Sequence, residues 1–203
     1  MIRFISLFIA LFLSTAAMAQ DFPALFRVTN VSPGDVLNIR ADSNARSAIV
    51  GQFSRTQVGI EVIGLSEDRN WGLVRTNEAV GWTSMRYLTA ERSDSWRDGQ
   101  QSLTCSGTEP FWTLHLYLPT NGGAYESLAD GTNTPLTTDA PALPTTFAPP
   151  TLAVPFTGGR TGMAIIRNGV CSDGMSDHLY GLEAQVYFRG QTAAVSGCCT
   201  LAH

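Results

Sequence analysis

The chain has 203 residues, with 13 basic and 17 acidic side chains and a formal net charge of −4 at pH 7. Its basic residues are all arginine; lysine is absent. A sparsely charged, acidic chain lacks the basic face that phosphate neutralisation needs, so this composition argues against nucleic-acid binding. The length suits one domain or two small ones.

The first twenty residues, MIRFISLFIALFLSTAAMAQ, have the pattern of a secretory signal peptide. Arg3 supplies the positive start, residues 5–13 are apolar apart from Ser6, and Ala17 and Ala19 form a small-x-small cleavage site. The run is shorter than the roughly 20 residues of a membrane helix, and no later stretch approaches that length. We predict that residues 1–19 are removed, that no membrane span remains, and that the protein is periplasmic or secreted. An uncleaved N-terminal anchor is the alternative.

Between residues 26 and 90, turn signals separate short alternating segments. In VLNIR, Leu37 and Ile39 share one face. In VGIEVIG, the aliphatic residues at 58, 60 and 62 share a face, and Glu61 is expected to point outward. WGLV and VGWTSMRYL follow. Short alternating strands with closely spaced turns predict a small antiparallel barrel.

The order of these segments resembles that of a bacterial SH3-like (SH3b) domain. The resemblance rests on LNIRADSNARSAIVGQF, VGIEVIG, NWGLVR and VGWTSMRYL. One departure is the turn ADS after Arg40, where family members usually have a Gly-Pro-Ser type turn. The resemblance implies a non-catalytic barrel of cell-wall or envelope proteins, with peptidoglycan or a peptide as ligand. Trp71, Trp82 and Tyr87 are the aromatic candidates for contacting it, although Trp82 also suits the core of so small a barrel.

Residues 91–102 are polar and predict a linker, in which Trp96 either docks one domain on the other or lies exposed. Residues 103–203 again alternate: PFWTLHLYL places Trp112 and every second residue after it on one face, and LEAQVYF repeats the pattern. They predict a second antiparallel β-barrel-like domain, so the fold class is all-β. Residues 119–161 are rich in Thr, Pro, Ala and Gly. A structureless loop that long is unusual, so we expect short edge strands near Tyr125 and around residues 152–156.

Three fragments of the second half stand out: CSGTEPFW (105–112), CSDGMSDHLY (171–180) and SGCC (196–199). Together they resemble an uncharacterised family of bacterial envelope proteins with Cys-x-Gly-x-Glu-Pro-Phe-Trp, Cys-x-Asp-Gly-Met-Ser-Asp and Gly-Cys-Cys motifs. The family implies no established activity. The residues around His178 depart from its pattern, because relatives tend to have arginine before the tyrosine.

All four cysteines, Cys105, Cys171, Cys198 and Cys199, lie in this second half. In an oxidising compartment an even count favours disulfides over metal binding or redox chemistry. Successive side chains of a strand point to opposite faces, so Cys198 and Cys199 should serve two bridges, one from each face. Two pairings stay open: 105–198 with 171–199, or 105–199 with 171–198.

The segment CSDGMSDHLY supports two interpretations. Asp173, Asp177 and His178 could bind a divalent cation together with Glu109, since carboxylates and imidazole are suitable donors. Alternatively, Asp173 begins a turn and Asp177 bonds its own backbone. The ligand spacing is not dense, so we favour the turn and predict neither a metal nor a cofactor. A buried Glu109 would then satisfy backbone amides, and the following two aromatic residues would be core.

No Gly-x-Ser-x-Gly, His-Glu-x-x-His or phosphate-loop motif occurs, so no catalytic residue is predicted. We predict a secreted or periplasmic, non-enzymatic binding protein of the cell envelope. Its first barrel would contact peptidoglycan or a peptide, and its second an envelope protein. One alternative is an inhibitor of a cell-wall hydrolase or protease that inserts SDGMSDHLY into a cleft. The other is a metal-binding envelope protein that uses Asp173, Asp177 and His178.

Overall fold

A computed structural model describes residues 21–77, 79–92, 94–143 and 149–201. The predicted signal peptide, residues 1–19, lies outside the described residues. The all-β prediction is confirmed: the described residues form fifteen strands and three short 3-10 helices, joined by turns and loops. No helix in these ranges has both the length and the apolar character needed to cross a membrane.

The first domain is a seven-stranded antiparallel sheet with the strand order β3-β2-β6-β5-β4-β1-β7. Its strands are β1 (Ala24–Val28), β2 (Val36–Arg40), β3 (Ile49–Ser54), β4 (Ile60–Leu65), β5 (Trp71–Arg75), β6 (Val80–Ser84) and β7 (Leu88–Ala90). A 3-10 helix, Met85–Tyr87, joins the last two strands. The alternation predicted for β2 is confirmed, because Leu37 and Ile39 are both buried in a core with Val62 and Val74.

The second domain is a closed eight-stranded barrel in which each strand pairs with its chain neighbours and the last strand returns to the first. Such closure leaves no sheet edge unpaired. The strands are β8 (Leu103–Thr108), β9 (Phe111–Tyr117), β10 (Gly122–Ser127), β11 (Thr132–Thr138), β12 (Thr151–Gly158), β13 (Gly162–Ser172), β14 (Leu179–Phe188) and β15 (Val195–Leu201).

The inward-facing residues predicted from alternation along β9 and β14 are confirmed in this barrel. Trp112 and Leu114 point inward from β9, and Leu182 and Val186 point inward from β14; all four are buried. The expected strands within residues 119–161 exist as β10 and β12. They are not edge strands, however, since each has a partner on both sides. That part of the prediction was wrong because barrel closure is a long-range event that local composition does not reveal.

Two disulfides connect the second barrel, and the pairing that the sequence left open is Cys105–Cys199 with Cys171–Cys198. Cys105 and Cys199 lie opposite each other on β8 and β15 and belong to the barrel core. Cys198 points the other way and reaches Cys171 of β13. The two adjacent cysteines thus serve one bridge inside the barrel and one outside it, as strand alternation requires.

The segment between the two domains docks them together. Trp96 lies in a 3-10 helix, Trp96–Asp98, is 1% exposed, and belongs to the core of the second barrel. Its indole Nε1 donates to the carbonyl of Phe22, 3.2 Å away, and Asn168 Nδ2 of β13 donates to the same oxygen at 2.8 Å. Of the two alternatives for Trp96, the docking one is therefore the one observed.

Glu61 of β4 lies in the interface between the first sheet and the second barrel. Its side chain is 4% exposed. Arg75 Nη2 donates to one carboxylate oxygen at 2.7 Å, and the backbone N–H of Leu201 donates to the other at 3.3 Å. Glu61 points away from the core of its own domain, as predicted, but it does not face solvent, because the second barrel covers it. Burial raises the pKa of Glu61 to about 7, although Arg75 and the Leu201 N–H act in the opposite direction.

The raised pKa of Glu61 predicts that stability falls as pH rises from about 4.5 to about 7. In that window the folded state keeps a proton that the unfolded state has released. The contribution is therefore complete below pH 4.5 and is lost as pH passes 7. With about 1.4 kcal/mol for each pKa unit, the loss is about 3 kcal/mol at most.

Urea unfolding between pH 4.5 and 8 measures this effect in the parent protein and in Glu61→Gln. Glutamine keeps the shape and an acceptor for Leu201 but cannot titrate, so the variant should lack this part of the pH dependence. Identical profiles for the two proteins over this range would contradict the assignment to Glu61.

Candidate functional site

A groove of about 460 Å³ runs across the first domain beside the start of β2. Trp71, at the start of β5, and Tyr87, in the 3-10 helix after β6, provide its aromatic surface, and both rings are half-buried. Arg40 and Arg86 supply cationic groups, and Asp35 an anionic one. The rest of the lining comes from Asn30, Val31, Ser32, Val36, Leu37, Asn38, Ala45 and Ser84.

Local turns place the two aromatic residues at this groove. Ser66 Oγ accepts from the backbone N–H of Trp71 at 3.0 Å and donates to Asp68, which fixes the turn before β5. Hydrogen bonds from Ser66 and Asn70 hold the pKa of Asp68 below its usual range. On the other side, the carbonyl of Tyr87 accepts from Thr29 N at 2.8 Å. The groove is therefore formed by turns that are themselves hydrogen-bonded.

One of the charged groups of the groove lies near an aromatic ring, and the other two are held by backbone groups. The guanidinium carbon of Arg86 lies 5.9 Å from the centre of the Tyr87 ring. Arg40 Nη1 donates to the Ser47 carbonyl at 2.8 Å, and Asp35 accepts from the next backbone N–H. A ligand with an apolar body and a carboxylate could contact the rings and the guanidinium groups together, because aromatic faces and arginine favour these two chemistries.

Trp82 does not join the other two aromatic candidates. It lies on β6 opposite Leu73, on the same outer face of the sheet as Trp71, but it does not line the groove. It is half-buried and stands outside the domain core, so its alternative assignment to the core was wrong. The reason is register: Gly81 and Thr83, its neighbours on β6, point inward instead.

Asp173 forms the turn that the sequence favoured. Its Oδ1 accepts from the backbone N–H groups of Met175 and Ser176, both at 2.9 Å, and its Oδ2 accepts from Ser176 Oγ at 2.8 Å and from Tyr180 OH at 3.3 Å. The backbone donors contribute most to a pKa of about 2, so the Asp173 carboxylate is ionised at any ordinary pH. The turn thus engages both oxygens of the first candidate metal ligand.

The other two candidate ligands are placed differently. Asp177 is exposed, whereas His178 is half-buried and its Nε2 has no hydrogen-bond partner among the described residues. Within the part of the chain that the structure describes, no group of three or more His, Cys, Asp or Glu side chains is close enough to hold a metal ion. Glu109 is exposed on the turn between β8 and β9, so the expectation of a buried Glu109 was wrong.

The three cysteine-containing fragments of the second half meet at one place. The bridges join them, Thr108 Oγ1 donates to the Asp173 carbonyl at 3.2 Å, and Gly107 and Gly197 leave room for the Trp112 indole. A side chain on either glycine would overlap that ring. Trp112 is core as expected, but Phe111, one residue earlier on the same strand, is exposed.

Several residues that shape these sites have no role that their sequence pattern predicts. Arg40 belongs to the segment LNIR, and Asp35 and Arg86 show no sequence pattern beyond their proximity to turns. Glu61 is the one acidic residue inside the aliphatic segment VGIEVIG, and that contrast is a sign of a second buried surface.

Comparison of the chain with protein-family models and with curated proteins finds no match.

Proposed function

We propose that the protein is a non-enzymatic binding protein of the cell envelope whose first domain holds peptidoglycan or a peptide in the groove between Trp71 and Tyr87. The observation that carries this proposal is the groove itself, where two half-buried aromatic rings stand beside two arginines and one aspartate. Peptides and peptidoglycan stems offer both the apolar groups and the carboxylates that such a surface binds. Two disulfides are compatible with an extracytoplasmic compartment, where this ligand would be found.

Co-sedimentation with purified sacculi tests the proposal. Trp71→Ala and Tyr87→Ala should each weaken retention about tenfold, the effect of losing about 1.4 kcal/mol of contact. Tyr187→Ala is the matched control, because Tyr187 is an exposed aromatic residue of the second barrel. It should leave retention unchanged.

Trp82→Ala separates the groove from the outer face of the same sheet, since Trp82 lies on that face but outside the groove. It should have little effect on retention. A loss equal to that of Trp71→Ala would move the site away from the groove. Parent protein that sediments no better than an unrelated acidic protein would end the envelope-binding proposal.

A second candidate function is inhibition of a cell-wall hydrolase or protease by the Asp173 turn. The specific observation is Met175, which is 67% exposed although its backbone is held by Asp173 and a disulfide lies four residues away. A rigid loop with an exposed apolar tip loses little entropy on binding. Lysozyme and protease rates should then fall in the presence of the protein and recover with Met175→Glu, but not with Met163→Glu, which changes an exposed methionine of β13. Unchanged rates with the parent protein would remove this candidate.

A further inference from the structure

A chain of side-chain contacts connects the first domain to the Asp173 turn of the second barrel, residues 173–176. It begins at Arg75, the last residue of β5, whose Nη2 donates to the buried carboxylate of Glu61 at 2.7 Å. The guanidinium carbon of Arg75 lies 5.0 Å from the centre of the Tyr180 ring, across the boundary between the domains. Tyr180 OH donates to Asp173 Oδ2 at 3.3 Å. Three successive contacts thus join Glu61 to the carboxylate that holds the turn.

Tyr180 lies at the base of the connection that contains this turn. It stands near the start of β14, opposite Cys171 in the register of β14 with β13, and residues 173–178 connect the two strands. Burial and the Asp173 carboxylate raise the pKa of Tyr180, although Arg75 acts in the opposite direction. The phenol therefore keeps the proton that it donates at neutral pH.

The backbone beside Tyr180 is in contact with the first domain as well. Asn168 Nδ2 donates to the carbonyl of Gly181 at 3.2 Å and to that of Phe22 at 2.8 Å. A Cβ added to Gly181 would lie 3.1 Å from atoms of Pro23, so little space separates the domains here. Docking therefore places the backbone that carries Tyr180, and Arg75 contacts its ring.

Two hydrogen bonds reach Asp173 from described residues outside the turn. Thr108 Oγ1 donates to its carbonyl at 3.2 Å, and Tyr180 OH donates to its carboxylate. The other described donors to the carboxylate, Met175 N and two groups of Ser176, belong to the turn itself. Within the described chain, Tyr180 is thus the residue that connects this carboxylate to the rest of the fold.

We propose that the first domain orders the Asp173 turn of the second barrel, with Arg75 as a positioning residue that acts through Tyr180. Glu61 holds the guanidinium, and the guanidinium favours one orientation of the Tyr180 ring because cations bind over aromatic faces. In that orientation the phenol reaches Asp173 Oδ2. Met175, at the exposed tip, is then held in one position only while the domains are docked. This inference concerns the order of the turn and does not depend on whether the turn inhibits a hydrolase.

Hydrogen exchange at the Met175 and Ser176 amides, followed by NMR on the purified, oxidised protein, tests the contact of Tyr180. Both amides donate to Asp173 Oδ1, so their exchange reports opening of the turn. Tyr180→Phe keeps the ring beside Arg75 and removes only the hydroxyl. It should speed this exchange about fivefold and raise the pKa of Asp173, because the carboxylate loses a donor. Unchanged exchange in this variant would overturn the proposal.

A second variant tests Arg75. Glu61→Gln with Arg75→Gln removes the ion pair as a unit, so that no charge is left buried alone. It should speed exchange of the same two amides about threefold. Arg167→Gln with Glu183→Gln is the matched control, because these residues form a partly exposed ion pair in the second barrel. The control should leave exchange in the turn unchanged, and equal effects of the two double variants would contradict the role of Arg75.

Combining the variants shows whether Arg75 acts through Tyr180. If it does, the double glutamine change should add nothing to the effect of Tyr180→Phe, because the last contact is already lost. The amide of Val186, in the middle of β14, reports general unfolding in the same experiment. Fully additive effects in the turn, or an equal increase of exchange at Val186, would overturn the proposal.

Discussion

Replacing Cys105 and Cys199 together by alanine should lower the free energy of unfolding by about 4–5 kcal/mol. The bridge joins residues 94 apart, and a closure of that length restricts the unfolded chain strongly. Both cysteines are fully buried in the core of the second barrel. Because a typical domain is stable by only about 5–15 kcal/mol, this loss removes a large share of the total.

The outer bridge provides the matched comparison. Cys171–Cys198 joins residues only 27 apart, so its double alanine variant should lose about 3–4 kcal/mol. Urea unfolding of the oxidised proteins gives both values. Limited reduction followed by peptide mapping should open the outer bridge first, because Cys171 is half-buried and Cys105 is not accessible. A larger loss for the outer pair, or earlier reduction of the inner one, would contradict this account.

Truncating Trp96 should be nearly as costly, at about 3–5 kcal/mol for Trp96→Ala. The indole is almost wholly buried at the junction of the two domains, and its removal leaves a cavity in the core that it shares with the second barrel. The carbonyl of Phe22 would keep its bond from Asn168, so most of the loss is one of packing. Unfolding followed by fluorescence and by circular dichroism measures the change.

Two further variants make the Trp96 result interpretable. Trp96→Phe keeps most of the volume and should cost clearly less than the alanine variant. Trp82→Ala removes an indole that is only half-buried and should also cost less. If Trp96→Ala destabilised the protein by under about 1 kcal/mol, the burial of Trp96 could not be what holds the domains together.

Alternation along single strands was enough to predict much of this fold. The inward residues of β9 and β14 were identified because period-two patterns report which side of a strand faces a core. The same rule explained why Cys198 and Cys199 must serve different bridges. It could not choose the partners, since that choice depends on Cys199 lying opposite Cys105 in the register of β15 with β8.

The wrong or incomplete predictions concern residues whose surroundings depend on distant parts of the chain. Alternation along β4 predicts that Glu61 faces solvent. Alternation identifies the two faces of a strand, but it does not reveal that another domain covers one of them. Trp82 and Trp71 share a face, yet only Trp71 reaches the groove, because strand register and the turn at residues 66–70 set its position. Long-range pairing, not local pattern, decides such cases.

Leu25 lies on β1 of the first sheet but belongs to the apolar core of the second barrel. On the other side, Gly181 of β14 approaches Pro23 and Ile63 so closely that an added Cβ would lie 3.1 Å from each. The halves are therefore not interchangeable parts. Replacing either domain by an unrelated one would expose the apolar contact surface of the remaining domain to solvent. Recombination could therefore preserve this architecture only by transferring both domains together.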